Sequence, residues 1–246
     1  MTKRDVRAGL LARIGTVEAA PPWSLTTVAL TVVVAFISII IGTFVALAWF
    51  EGQPFAALLG WVIGSTLTIV FVMQTTRRSR DALRLASSPT PLPFIMFICV
   101  GFAVFFDLIG LAVTGAFLPV PELLALRERG ALDWLLAIAL MLVAQPAAEE
   151  LVFRGVAFPA LRAALGAWAG LVVTAGLYAV FHMLAYPPDY LNAAPLVPVW
   201  YGLILPLLAG LIIGGVRAYT GSTSAAIAAH AAFGLFALLK LFVITG

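Results

Sequence analysis

The chain is organised as long apolar runs separated by short polar gaps. A helix needs about 20 apolar residues to cross a bilayer. Seven runs approach or exceed this length: Ser24–Phe50, Phe55–Thr75, Pro93–Leu118, Leu132–Phe153, Leu171–Tyr186, Leu196–Val216 and Thr223–Val243. They predict an all-α, polytopic helical membrane protein with about seven transmembrane helices. The first run follows a leader of 23 residues and is too long for a signal-peptide core. An uncleaved span is therefore expected, despite the small-residue pattern Ala46-Leu47-Ala48.

The gaps set an orientation. Lys3, Arg4, Arg7 and Arg13 precede the first span, and Glu51-Gly52-Gln53 after it carries no base. Arg77, Arg78, Arg80 and Arg84 follow the second span, Arg154 and Arg162 the fourth, and Arg217 the sixth. Only Arg127, Arg129 and Lys240, of 14 Lys and Arg, fall on the other side. The positive-inside rule then predicts N-terminus in and C-terminus out. The 186–196 segment, with Pro187, Pro188 and Pro195, is expected to be an outer loop.

Composition agrees. Hydrophobic residues make up 63% of the chain and charged residues 10%, too few charges to cover a soluble surface. One cysteine, Cys99, excludes a disulfide scaffold and reads as packing. The net charge of +3 comes from scattered bases, so no nucleic-acid partner is expected. The partners implied are the lipid bilayer and something held in it. Gly166 with Gly170, Gly210 with Gly214, and an alanine face at Ala225, Ala229 and Ala232 let helices approach closely. Trp23, Trp49 and Trp200 lie near span ends, where aromatic belts form.

Few ionisable residues sit within the spans: Asp107, Glu149, Glu150, Arg154, His182 and His230. Such residues are costly there and mark candidate sites. Both histidines of the chain are among them. Glu150 and Arg154 are four residues apart and can pair on one helix face. Glu149 lies about 100° round the helix and points elsewhere. That division makes Glu150 and Arg154 a brace and Glu149 a candidate general base. Pro146 is expected to start or kink this helix. The competing reading is a charge pair at the end of span four, where charge is cheap. Tyr178 and His182 share a face at the same four-residue spacing, and Ser222 is a candidate N-cap for the helix that carries His230.

The ordered set Glu149-Glu150-x-x-x-Arg154, Tyr178-x-x-x-His182 and a later His230 resembles the CPBP (CAAX protease and bacteriocin-processing, ABI) family of intramembrane endopeptidases. The resemblance covers roughly residues 131–243 of a single membrane domain, 1–246, and leaves three accessory helices in 24–118 without a motif. It implies a glutamic-type protease. Glu149 and His182 would activate water for attack on a peptide bond of a membrane-associated peptide or protein. Glu150 and Arg154 would hold the site in shape, with Tyr178 supporting, and His230 would stabilise the oxyanion. Two positions depart from the family. Tyr178 stands where Phe is usual, and Gly234 stands where a His-x-x-x-Asn pattern has Asn. Loss of one oxyanion donor typically costs about 10²–10³ in rate.

Three other readings stay open. One is a non-catalytic adaptor or bacteriocin-immunity-type protein on this fold, which Gly234 favours. Another is a zinc-dependent membrane metalloprotease. The glutamates and histidines lack an HExxH-type spacing, so no metal or other cofactor is expected. The last is a proton-coupled carrier using Asp107 as relay, against which stands the absence of an inverted repeat. Asp107 otherwise reads as a partner for a base at the site, and Asp189 and Asn192 as solvated loop residues. The expected location is a bacterial inner (plasma) membrane.

Overall fold

Seven helices long and apolar enough to cross a membrane carry the chain in a computed structural model, which describes residues 9–115, 130–185 and 196–245. They are α1 (Leu25–Trp49), α2 (Ala56–Thr75), α3 (Leu92–Thr114), α4 (Ala131–Leu165), α5 (Ala167–Ala185), α6 (Leu196–Thr220) and α7 (Thr223–Thr245). No strand occurs among the described residues. A five-residue helix, Leu10–Ile14, precedes α1, and a short 3₁₀ stretch, Arg77–Leu83, follows α2. The predicted ends Leu118 and Tyr186, together with Arg127, Arg129, Asp189, Asn192 and the 186–195 prolines, lie outside the described residues.

The largest difference from the sequence reading is α4. It runs on to Leu165, about three turns past the expected end at Phe153. Its charged stretch therefore lies mid-helix and buried, not at a helix end. Three wide π turns explain how prolines fit inside these helices. Leu140–Ala144 precedes Pro146, Leu151–Ala157 precedes Pro159, and Trp200–Ile204 precedes Pro206. A proline lacks an N–H and collides with the carbonyl one turn back; a widened turn relieves both. Pro146 thus neither starts α4 nor breaks it.

Small residues set the helix contacts. Gly42 of α1 lies against Gly60 and Gly64 of α2, where any added Cβ would strike backbone. Gly170 of α5 faces Arg162 in the same way, its added Cβ 2.6 Å from the Arg162 Cα. Gly210 and Gly214 of α6 pack on Ala175, Tyr178 and Leu171 of α5. The alanine face of α7 is fully buried against Ile95 and Cys99 of α3 and Ile213 of α6. Large apolar side chains such as Phe44, Phe97 and Val143 point outward, as lipid contact requires. Trp49 is exposed with them, but Trp200, expected at the belt, is only 7% exposed and belongs to the interior.

One end of the bundle is tied by arginines, of which Arg162 and Arg217 are buried. Arg217 donates to both oxygens of Glu18 at 3.0 and 3.1 Å, and Arg84 Nε lies 2.8 Å from the same carboxylate. Arg162 donates to the carbonyls of Ile14 and Thr16, and Arg13 lies over the Tyr219 ring. Thr223 Oγ1 donates to Leu83 O, and Ser222 Oγ caps α7 by accepting from Ala225 N at 3.3 Å. The start of α1, the ends of α2, α4 and α6 and the start of α7 thus meet at one end. Successive helices that reverse direction produce this gathering.

Candidate functional site

The short α segment Gln145–Glu150, held between two π turns of α4, presents both glutamates to the interior. Glu149 is 3% exposed, and Glu150 and Arg154 are fully buried. Arg154 Nη1 donates to Glu150 Oε1 at 3.1 Å. Its Nη2 donates to the Gly210 carbonyl of α6 at 2.9 Å. The guanidinium also lies over the Tyr178 ring, 4.7 Å from the centroid. A buried charge is costly unless paired and hydrogen-bonded, and Arg154 gains all three contacts.

His230 of α7 completes this arrangement. Its Nδ1 lies 2.8 Å from Glu150 Oε1. Its Nε2 faces Glu149 Oε2 at 3.9 Å. Glu149 Oε1 accepts from Gln145 Nε2 at 3.0 Å, while Oε2 has no hydrogen-bond partner among the described protein groups. His182 of α5 is partly buried, its ring 5.6 Å from that of Tyr178, and Glu149 and His230 are its charge-bearing neighbours. Tyr178 is the aromatic hub. Its ring meets Phe153 edge-on at 5.4 Å and His230 edge-on at 6.0 Å. Glu149, Glu150, Arg154, Tyr178, His182 and His230 are therefore one cluster drawn from α4, α5 and α7.

The first two helices also reach it. A small cavity beside Glu149 is lined by Ala35 and Ile39 of α1, Ser65 and Thr68 of α2, and Phe181 of α5. It leaves about 10 Å³ open, the room of a single water. The sequence reading found no motif in these helices and missed Ser65 and Gln145. Gln145 left one signal, its four-residue spacing from Glu149. Ser65 left none, since a lone serine in an apolar span is ordinary.

Gly234 is explained by packing. It lies against the carbonyl of Met141, in the first π turn of α4, and a Cβ there would collide with that oxygen. Asp107 does not join the cluster. It pairs with Lys240, ten residues beyond His230 on α7 and so roughly 15 Å away along the helix. Cys99 is buried in the α3–α7 contact, as expected of packing. Among the described residues no group of three or more His, Cys, Asp or Glu is arranged to hold a metal ion.

Fold and site together define a polytopic membrane protein with a buried Glu–His–Arg cluster. Residues 131–236, from the start of α4 into α7, match the family described as type II CAAX prenyl endopeptidase Rce1-like. That stretch is similar to the CAAX-protease family, the one its motif order resembles. No curated protein and no solved structure matches the chain.

Proposed function

We propose that the protein is an intramembrane endopeptidase of glutamic type, cleaving a peptide bond of a membrane-associated peptide or protein. The observation that carries this reading is Glu149: a carboxylate whose Oε1 is held by Gln145 and whose Oε2 faces His230 without a hydrogen bond to it, with His182 and Tyr178 as neighbours. In the proposed reaction Glu149, aided by His182, takes a proton from water as the oxygen attacks the substrate carbonyl. General base catalysis of this kind contributes about 10²–10⁴. The tetrahedral oxyanion is stabilised by His230. Collapse breaks the C–N bond, and the proton held at Glu149 passes to the leaving amine. Glu150 and Arg154 do not react; they fix the His230 ring and the turn that carries Glu149. The proposed orientation is N-terminus in and C-terminus out, in the inner membrane of a bacterium.

No metal is needed. Glu150 is already paired with the buried Arg154 guanidinium, whose positive charge beside it disfavours a second cation. The test compares peptide termini in membranes of cells carrying the wild-type protein or Glu149→Gln. Termini lost in the variant, and still formed by purified wild-type protein in the presence of a chelator, support a glutamate mechanism over a zinc one.

A second reading, a non-catalytic adaptor or immunity-type protein, is favoured by Gly234, which carries no donor toward the site. It predicts identical termini in the two strains.

A further inference from the structure

We propose that Gln145 is a positioning residue that sets which oxygen of Glu149 faces the reacting water. The inference rests on the reading of Glu149 as general base and adds a residue that no motif contains. An ionised carboxylate only accepts hydrogen bonds, so the side-chain amide of Gln145 must present its nitrogen to Glu149. The Nε2–Oε1 separation is 3.0 Å. This bond occupies one oxygen and one rotamer, and it leaves Oε2 as the unsatisfied atom on the side of His230 Nε2.

The backbone makes the pairing possible. Gln145 and Glu149 are separated by four residues within one regular α segment, so their side chains lie one above the other. The preceding π turn gives Gln145 N its bond to the Leu140 carbonyl. That turn rotates Gln145 onto the face it occupies. On the neighbouring helix, Gly234 lies against Met141 and His230 lies against Glu150. Gln145 therefore falls in register between those two contacts, at a level where α7 contributes only Ala231, Ala232 and Phe233 and no polar side chain. Glu150, by contrast, has Arg154 and His230 to orient it. Gln145 performs this service for Glu149 from within the same helix, with Tyr178 of α5 as the neighbouring hydroxyl.

The test uses the full-length protein in nanodiscs and a peptide spanning the junction whose terminus disappears in Glu149→Gln membranes. Gln145→Met keeps the length of the side chain and removes the donor. Gln145→Asn keeps the amide and withdraws it by one methylene. Both variants are expected to lower kcat by about 10- to 100-fold with KM unchanged, as misplacement of a reacting group does. The Glu149 carboxylate stretch, assigned as the infrared band lost in Glu149→Gln, is expected to shift in both. An unshifted band with wild-type kcat overturns the proposal. So does a fall in activity that tracks only loss of folded protein, with the band unshifted. Cleavage that survives Glu149→Gln defeats the general-base reading instead, and the infrared comparison still reports whether Gln145 holds the carboxylate.

Discussion

His230 Nδ1 lies 2.8 Å from Glu150 Oε1, an oxygen that also accepts from Arg154 Nη1 at 3.1 Å. One carboxylate oxygen therefore joins α4 to α7 and fixes the imidazole. An ionised Glu150 accepts only, so Nδ1 carries a proton and Nε2 is the nitrogen turned toward Glu149. In that neutral tautomer Nε2 accepts; it donates to an oxyanion only after gaining a proton. To stabilise the oxyanion, His230 must therefore enter the reaction with both ring nitrogens protonated, because the proton that water loses is held at Glu149 for the leaving amine.

Arg154 is the residue whose loss the fold tolerates least. Arg154→Met leaves Glu150 buried and removes the donor to the Gly210 carbonyl. Breaking one side of a buried ion pair costs about 3–5 kcal/mol. Unfolding in mixed micelles is expected to show a loss of that order. A change below about 1 kcal/mol, the scale of exposed pairs, would mean that Arg154 does not brace the site.

Gly234→Asn restores a side chain that the resembling family carries, yet it is expected to harm this protein. The new Cβ meets the Met141 carbonyl in the first π turn of α4. Overpacking of this kind costs about 1–3 kcal/mol. Lower stability with no gain in cleavage is the expected result. A more active and equally stable variant would show that the α4–α7 contact yields, and that the missing donor limits the rate.

Glu18→Gln tests the arginine-tied end apart from the chemistry. Glu18 is the carboxylate that both Arg217 and Arg84 contact, and Arg217 is 1% exposed. Replacing it leaves a buried guanidinium without its counter-charge, at a cost of about 3 kcal/mol. The melting temperature is expected to fall while kcat of the folded fraction stays at the wild-type value. A kcat that falls with unchanged melting would connect this end to the active cluster.

The spans were legible because bilayer crossing imposes length and apolarity on the sequence itself. The Glu150–Arg154 pair was legible for a similar reason, since four-residue spacing along one helix is local. What failed was non-local or depended on helix phase. The π turns before Pro146, Pro159 and Pro206 leave no sequence mark beyond the prolines, so the sequence pattern ends α4 at Phe153 while the helix continues to Leu165. The bond from His230 to Glu150 spans 80 residues, and no periodicity announces it. Arg162 and Arg217 read from the sequence as loop bases that set orientation, whereas both are buried and bonded to the segment before α1. The positive-inside rule counts charges near helix ends and is blind to whether each one faces water or protein. Trp200 failed likewise, since nearness to a span end does not say which way a ring points.

The most direct test of the account is the fate of peptide termini in membranes when Glu149 alone is changed. Wild-type and Glu149→Gln proteins, brought to matched levels, are compared by N- and C-terminal peptide profiling. The account predicts that defined termini vanish in the variant while the protein still folds and reaches the membrane, and those termini name the substrate. Identical profiles under several growth conditions would contradict it and leave the cluster as the frame of a non-catalytic membrane protein.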